Sequence, residues 1–204
     1  MLYFKTIEPS TLELLQGLMQ EPLLKDTRLV GGTALALQLG HRSSVDLDLF
    51  GHFSCDDIQL RQMLATHGKI QVISCSPNVK IFTINDVKVD IVNYDSLWIE
   101  EMLVHDDLRL ASIAEIAAMK VRAIMGRGTR KDFVDMYFLL QQFSIFQIMD
   151  FYHKKYPDFN DFIALKSLTY FDDAEHVPMP LMHDKTSWET MKALIIKCVK
   201  QLVE

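Results

Sequence analysis

The sequence predicts an α+β protein in which a sheet-containing first part is followed by a helical second part. In the first half, helical periodicity alternates with short runs of period-two hydrophobicity, and after about Asp107 only the helical periodicity continues. Hydrophobic residues make up 49% of the 204 residues, which permits a full core and excludes intrinsic disorder. We therefore expect two parts, residues 1–107 and residues 108–204.

The expected elements follow from caps, turns and periodicity. Helices are predicted from Pro9 onward, at 33–39 with Gly40 as the stop, and after a cap at Ser54-x-x-Asp57. Strands are predicted at 28–30, 45–50, 69–74, 80–84 and 87–92, the last two joined by the two-residue turn Asn85-Asp86. In the second part, helices are predicted at 113–126, 129–143, 159–168 and 188–203.

Composition excludes several classes of protein. No window approaches the run of about 18 apolar residues that a membrane span needs, so no membrane partner is expected. The first residues lack a basic region followed by an apolar one, and we expect a cytoplasmic protein. The three cysteines are odd in number and far apart, which argues against a disulfide framework and against a structural zinc.

A net charge of −6 means that binding to nucleic acid has to rest on a local basic patch. One such segment runs from Lys120 to Lys131, where five basic residues occur without an acid. We expect RNA, if it binds, to contact this segment.

Two aspartates share one face of the strand predicted at 45–50. The period of two places Val45, Leu47 and Leu49 on one face and both Asp46 and Asp48 on the other. Their Cα atoms would lie roughly 6–7 Å apart, and like charges at that distance favour a bound divalent cation such as Mg²⁺. The alternative is an exposed strand whose solvent face is acidic.

Two neighbouring features support the cation site. Gly31-Gly32-Thr33 leave a strand and open a helix, so backbone N–H groups and a hydroxyl point toward whatever docks there, which suits a phosphate. Asp90 alternates with Val89 and Ile91 and offers a third carboxylate from a neighbouring strand. Three carboxylates can surround two metal ions.

These motifs resemble a known superfamily. The signature of the polymerase-β-type nucleotidyltransferases resembles residues 31–33 (Gly-Gly-Thr) followed by residues 44–50 (Ser-Val-Asp-Leu-Asp-Leu-Phe). The residues of this motif are most similar to those of the AbiEii/AbiGii toxin family. The resemblance continues through Lys120, residues 131–135 and residues 170–175. It implies a mixed-sheet nucleotidyltransferase core, with a helical C-terminal unit that completes the active-site cleft.

The resemblance also implies an activity and its partners. A nucleoside monophosphate would pass from a nucleoside triphosphate to an acceptor, either RNA such as a tRNA 3′ end or protein, with release of pyrophosphate and two Mg²⁺ ions as cofactors. Several members of such families act as the toxin of a toxin–antitoxin or phage-defence pair, which makes a cognate antitoxin an expected partner. The metal ligands implied are Asp46, Asp48 and Asp90; the nucleotide-binding residues are Gly31, Gly32, Thr33, Ser44, Lys120 and Lys131.

Lys120 and Asp132 have competing explanations. Lys120 lies on the apolar stripe of the helix 113–126, so it should face a carboxylate or a phosphate, unless its charge reaches water at the end of a buried stem. The resemblance favours contact with the triphosphate. Asp132 suits the first turn of a helix capped by Thr129, whereas the resemblance implies that it activates the acceptor hydroxyl.

Two other functions were compared with nucleotidyl transfer. A catalytically silent nucleotide-binding or partner-binding module of the same fold stays open, although all three carboxylates are present. A dinucleotide-binding enzyme built on Gly31-Gly32 is excluded, because the third glycine of Gly-x-Gly-x-x-Gly is missing and a hairpin stands where a parallel strand is required.

Overall fold

A computed structural model describes residues 1–158 and 160–202. The chain forms two compact units, which we call the sheet unit and the helical unit. The sheet unit comprises residues 1–40, 44–96 and 102–111, and the helical unit comprises residues 41–43, 97–101 and the chain from Ser112 onward. The boundary is not a single position near residue 107. The chain passes into the helical unit at residues 41–43 and again at residues 97–101, and each time it returns to the sheet unit.

The sheet unit is built on a mixed seven-stranded sheet with the order β3-β4-β5-β2-β1-β7-β6. Its strands are β1 (Thr27–Val30), β2 (Leu47–Gly51), β3 (Ile70–Cys75), β4 (Val79–Ile84), β5 (Val87–Asn93), β6 (Leu103–His105) and β7 (Leu108–Leu110). Strand β2 is parallel to β5 and antiparallel to β1, and β1 is parallel to β7. The α+β class with a mixed sheet is therefore confirmed.

Two tight turns shape this sheet. Asn85 and Asp86 both have positive φ, 48° and 66°, as a two-residue hairpin of this kind requires, and they confirm the predicted β4–β5 connection. Asp106 and Asp107 repeat the geometry with φ of 50° and 61° and join β6 to β7. This second hairpin was not predicted, because both of its strands have three residues and show little alternation.

The α-helices described in the sheet unit are α1 (Pro9–Gln20), α2 (Gly31–Leu39) and α3 (Asp57–Ala65). The predicted stop at Gly40 is confirmed by its left-handed φ of 72°. The predicted cap at Ser54 is wrong. Helix α3 is capped two residues later, by Asp56, which forms a capping box with Gln59.

The interior of the sheet follows the predicted alternation with one exception. Leu47 and Leu49 on β2 and their partners Val89 and Ile91 on β5 are fully buried. Val45 was predicted to share this face but is 56% exposed, because β2 begins only at Leu47. Asp46 therefore lies in the loop that leads into the strand.

The helical unit contains α4 (Ile113–Gly126), α5 (Arg130–Leu139), α6 (Ile145–Lys155), α7 (Asp161–Leu168), α8 (Asp172–Glu175) and α9 (Trp188–Lys200). Helix α6 was not predicted, although Ser144 and Gln147 form a capping box that could have shown it. Helix α5 ends four residues earlier than expected. Phe159 and Val203, which were included in predicted helices, lie outside the described residues.

Helix α4 carries the predicted apolar stripe, and it also buries the charged side chain of Glu115. Ile116, Ala117 and Val121 are fully buried. Ser112 caps the helix by accepting the Glu115 N–H at 3.1 Å. The Glu115 side chain does not bond back to the N-cap residue as it would in a capping box, because its carboxylate accepts the Ile99 N–H at 2.7 Å and forms an ion pair with Lys155. This pair attaches the segment 97–101 to α4 and α6.

Candidate active site

The predicted site residues fall into two groups, one in each unit. In the sheet unit, Asp48 and Asp90 are paired residues on the adjacent parallel strands β2 and β5. Paired residues point to the same face of a sheet, and neighbouring strands lie about 4.8 Å apart. The expectation that Asp90 comes from a strand next to Asp48 is confirmed, and the two carboxylates share one face.

Asp46 is held by the start of helix α2. The Thr33 hydroxyl donates to the Asp46 carbonyl oxygen and lies 2.9 Å from the Ser44 hydroxyl. The Ser44 N–H in turn donates to the carbonyl oxygen of Thr6 at 2.9 Å. Thr33 is 1% exposed, so its hydroxyl positions the loop that carries Asp46. Contact of Thr33 or Ser44 with a phosphate stays a prediction.

Gly31 is the point where the glycine turn meets the carboxylates. Its φ is +70°, and a Cβ added to it would overlap Oδ2 of Asp48. A side chain would therefore be strained by the backbone and would displace the carboxylate. Helix α2 starts at Gly31, and its N-cap residue, Val30, makes no side-chain hydrogen bond to the helix. A helix N-terminus beside carboxylates is a favourable place for the phosphates of a metal–nucleotide complex.

A lysine that the sequence analysis did not single out binds Asp90. Nζ of Lys88 lies 2.6 Å from both carboxylate oxygens of Asp90. Lys88 is two residues before Asp90 on β5 and so shares its face. The signal was present in the sequence as Lys-x-Asp within an alternating strand.

The sheet carboxylates fit a divalent cation in chemistry and in register. Carboxylate oxygens are the ligands that Mg²⁺ prefers, and Asp48 and Asp90 lie side by side. Among residues 1–158 and 160–202, however, no three His, Cys, Asp or Glu side chains converge as a ready metal site. The carboxylate of Asp90 is paired with Lys88 instead.

Lys120 lies at the centre of the second group. Its side chain is 5% exposed, and its Nζ lies 3.0 Å from Asp132 and 2.6 Å from Asp135. Burial alone would lower the pKa of Lys120, but the charges of the two carboxylates outweigh burial and raise it. Of the alternatives considered from the sequence, the structure favours a carboxylate partner for this lysine, and contact with a triphosphate stays a prediction.

Asp132 is saturated with hydrogen-bond donors. Besides Lys120, it accepts from the Thr129 hydroxyl at 2.6 Å and from two nitrogens of Arg127 at 3.0 and 3.1 Å. Burial would raise the pKa of this carboxyl, but the charges of Lys120 and Arg127 and the donated bonds hold it well below the usual range. A carboxylate in this state accepts a proton poorly, and activation of an acceptor hydroxyl by Asp132 stays a prediction.

Asp135 connects this group to the segment 41–43. It accepts from Nε and Nη2 of Arg42 at 2.7 and 2.9 Å, and its Oδ1 lies 2.8 Å from Nε2 of His41. Burial would raise the pKa of Asp135, but Arg42 and Lys120 lower it well below its ordinary value. We call His41, Arg42, Lys120, Arg127, Asp132 and Asp135 the buried ion network.

The basic segment from Lys120 to Lys131 does not present a continuous basic surface. Lys120 is buried, and contact of the segment with RNA stays a prediction. Arg130 donates to the carbonyl oxygens of Ala174 and Glu175 at 2.9 and 2.6 Å and thereby holds α8. Lys131 lies half-buried in the first turn of α5. The exposed cations of this segment are Arg122 and Arg127, and the Arg127 side chain is 58% exposed.

The chain is similar to known proteins along most of its length. Residues 13–198 match the model of the family described as nucleotidyl transferase AbiEii toxin, type IV TA system. An uncharacterized protein of Aquifex aeolicus (strain VF5), aq_aa25, is 29% identical over 199 residues, which cover 94% of this chain and 95% of that protein.

Solved structures share the fold. A putative nucleotidyltransferase from H. pylori superposes with a TM-score of 0.55 at 19% identity and covers 95% of this chain and 94% of its own. MenT4, the nucleotidyltransferase toxin Rv2826c from Mycobacterium tuberculosis H37Rv, gives a TM-score of 0.53 at 15% identity, with 96% and 83% covered. Within the described part of the chain, the helices are too short or too polar to cross a membrane.

Proposed function

Because the chain belongs to the nucleotidyl transferase AbiEii toxin family, we propose that it moves a nucleoside monophosphate from a nucleoside triphosphate to an acceptor through the carboxylates of the sheet unit. The observation that carries this proposal is the pairing of Asp48 with Asp90 on parallel strands, next to a glycine whose missing side chain makes room for the Asp48 carboxylate. Asp46 lies two residues before Asp48 and supplies the third carboxylate.

Asp46, Asp48 and Asp90 would hold two Mg²⁺ ions, which neutralise the charge of the triphosphate and orient it. The N–H groups at the start of α2, at Gly31 and Gly32, would bind phosphate oxygens. In the transfer, an acceptor hydroxyl oxygen forms a bond to the α-phosphorus while the bond to the bridging oxygen breaks. Pyrophosphate leaves, and the proton of the hydroxyl passes to solvent.

The test is label transfer from each α-³²P nucleoside triphosphate to total RNA or to protein in the presence of Mg²⁺. Replacing Asp46 or Asp48 by Asn should abolish both label transfer and pyrophosphate release, because an amide cannot hold the cation as a carboxylate does. Asp95→Asn is the matched control, since Asp95 is an exposed aspartate of the same unit. Full activity in both variants, or nucleotide binding by the parent protein without pyrophosphate release, would contradict the proposal.

We further propose that this activity makes the protein the toxin of a toxin–antitoxin pair, acting in the cytoplasm where nucleoside triphosphates and RNA are found. The family description supports the proposal. Induced expression of the parent chain in a bacterial host should arrest growth, and co-expression of a cognate antitoxin should restore it. The Asp48→Asn variant, expressed to the same level, should leave growth unaffected; arrest by this variant would separate toxicity from nucleotidyl transfer.

A further inference from the structure

A pocket of about 300 Å³ opens in the helical unit beside the end of α4 and the chain that joins α7 to α8. The polar and aromatic side chains in its lining are Arg127, Lys166, Ser167, Tyr170 and Asp173. Its volume lies at the lower end of the range of about 300–1,000 Å³ for small-molecule sites. All of its lining residues belong to one unit, so the pocket is complete within that unit.

The buried ion network orients one wall of this pocket. Arg127 directs Nε and Nη2 to the carboxylate of Asp132 at 3.0 and 3.1 Å, while 58% of its side chain stays exposed. Asp132 has no exposed side-chain surface and is itself held by Lys120. An arginine fixed by a buried carboxylate loses little entropy when it binds an anion, unlike the flexible cation of a solvated loop.

The part of the lining that comes from α7 and the chain after it supplies a second cation and an aromatic ring. Lys166 is exposed, and the described residues give its ammonium group no carboxylate partner. Tyr170 is 49% exposed, four residues further along the chain. Two cations beside an exposed aromatic ring are the groups that single-stranded nucleic acid requires, because cations bind its phosphates and aromatic rings stack on its bases.

We propose that this pocket binds one unpaired nucleotide of an RNA, with the phosphate between Arg127 and Lys166 and the base against Tyr170. The inference rests on the proposed function and deepens it, since it makes RNA the acceptor class. Lys166 could also serve only to complement the partial negative charge at the C-terminus of α7. That role explains neither the fixed orientation of Arg127 nor the exposed ring of Tyr170.

Charge distinguishes a nucleotide within RNA from a free triphosphate. The acids Asp173 and Asp172 lie close enough to Tyr170 to raise the pKa of its phenol. A triphosphate carries several negative charges and would be repelled by these carboxylates, whereas a phosphodiester carries one and can be neutralised by a single cation. The pocket therefore favours an RNA nucleotide.

The experiment measures binding of the full chain to a fluorescein-labelled single-stranded RNA by anisotropy, without nucleoside triphosphate and without Mg²⁺. Tyr170→Ala should weaken binding about tenfold, while Tyr170→Phe, which keeps the ring, should bind as the parent does. Lys166→Gln should weaken binding and lower the slope of log K against log salt by about 0.7, the value for one phosphate of a single strand. The control Lys185→Gln, an exposed lysine outside the pocket, should change neither quantity.

A second titration with a fluorescent nucleoside triphosphate separates the two sources of a nucleotide. The inference is overturned if Tyr170→Ala and Lys166→Gln bind RNA as tightly as the parent, or if they weaken only triphosphate binding. It is also overturned if Tyr170→Ala and Tyr170→Phe lose affinity equally, because stacking would then not be involved. Since RNA binding is measured without transfer, failure here leaves the test of Asp46 and Asp48 unaffected.

Discussion

Carboxylates are concentrated in both units of this protein, and the two sets are stabilised in opposite ways. In the buried ion network, Asp132 and Asp135 have no exposed side-chain surface, and Arg42, Lys120 and Arg127 supply more positive charge than the two acids carry negative charge. On the sheet, Asp90 keeps 18% of its side-chain surface and pairs with a lysine that is itself 41% exposed. Charge compensation is thus internal in the helical unit, whereas the sheet carboxylates are suited to an external cation.

The largest expected effect separates the two sets by stability. Asp135→Asn removes the charge that neutralises Arg42 and Lys120 inside the helical unit, and a buried pair broken on one side costs about 3–5 kcal/mol. Asp48→Asn exchanges a half-buried carboxylate for an amide of the same shape and should change the free energy of unfolding by less than about 1 kcal/mol.

Urea unfolding followed by tryptophan fluorescence measures the first effect, because Trp98 and Trp188 both belong to the helical unit. Circular dichroism follows both units. Equal losses in the two variants would mean that the sheet carboxylates are structural as well, and the contrast between the units would disappear.

Gly31→Ala tests the close approach on the sheet. The new Cβ would overlap Asp48 and would force a left-handed backbone on a residue with a side chain, at a cost of about 1–2 kcal/mol. Displacing the carboxylate by about 1 Å should lower label transfer about 100-fold. Gly126→Ala is the matched control for stability, because its Cβ would have its nearest neighbour, Nη1 of Arg122, at 4.0 Å. Parent-like activity of Gly31→Ala would show that this contact does not position the carboxylate.

The sequence predicted the sheet site better than the ion network, for a physical reason. Strand alternation is a local property, so Asp48 and Asp90 could be assigned to the same face from a few neighbouring residues each. The spacing of the aspartates indicated the divalent cation, and the resemblance of the motifs added the nucleoside triphosphate. Lys88 follows the same alternation, because it precedes Asp90 by two residues on β5 and so shares its face.

The ion network could not be read from local patterns. Asp135 receives Arg42 from 93 residues away and Lys120 from 15 residues away, and no periodicity connects these positions. Short strands were not predicted for a related reason. Strands β6 and β7 have three residues each, which is too few for a period of two to be recognised. Long amphipathic elements such as α4 were predicted to the residue at both ends.

His41 gives the buried ion network a pH dependence. Burial lowers the pKa of His41, and Arg42 and Lys120 add to this effect against the opposing charge of Asp135. Nδ1 of His41 is buried and has no hydrogen-bond partner among the described residues, so a second ring proton would be unsatisfied. The folded state thus keeps His41 neutral at a pH where the unfolded chain, with a pKa of about 6.5, is protonated.

Below about pH 6.5 the unfolded state binds more protons at this position, so stability falls as the pH decreases, by at most about 1.4 kcal/mol per pH unit. His41→Gln retains a donor toward Asp135 without a titrating group and should flatten this part of the profile between pH 7.5 and 5.5. The measurement is urea unfolding of both proteins across that range. The remaining histidines contribute equally to both, so parallel profiles would remove His41 as the cause.

The smallest expected effect concerns Lys88, and it tests whether the sheet carboxylates bind a divalent cation. In the absence of a divalent ion, the ammonium of Lys88 neutralises Asp90 through two 2.6 Å contacts, so a cation that binds Asp90 has to displace it. The pair is partly exposed, and pairs of this kind contribute about 0.2–1 kcal/mol. Lys88→Met should therefore tighten binding of Mg²⁺ about two- to fivefold, measured by isothermal titration calorimetry on the protein without nucleotide.

Lys69→Met, at an exposed lysine of the same unit, controls for the change in net charge. If Lys88→Met binds Mg²⁺ no more tightly than Lys69→Met, Asp90 is held by its lysine for structural reasons, and the carboxylates of the sheet resemble those of the helical unit more than their exposure indicates.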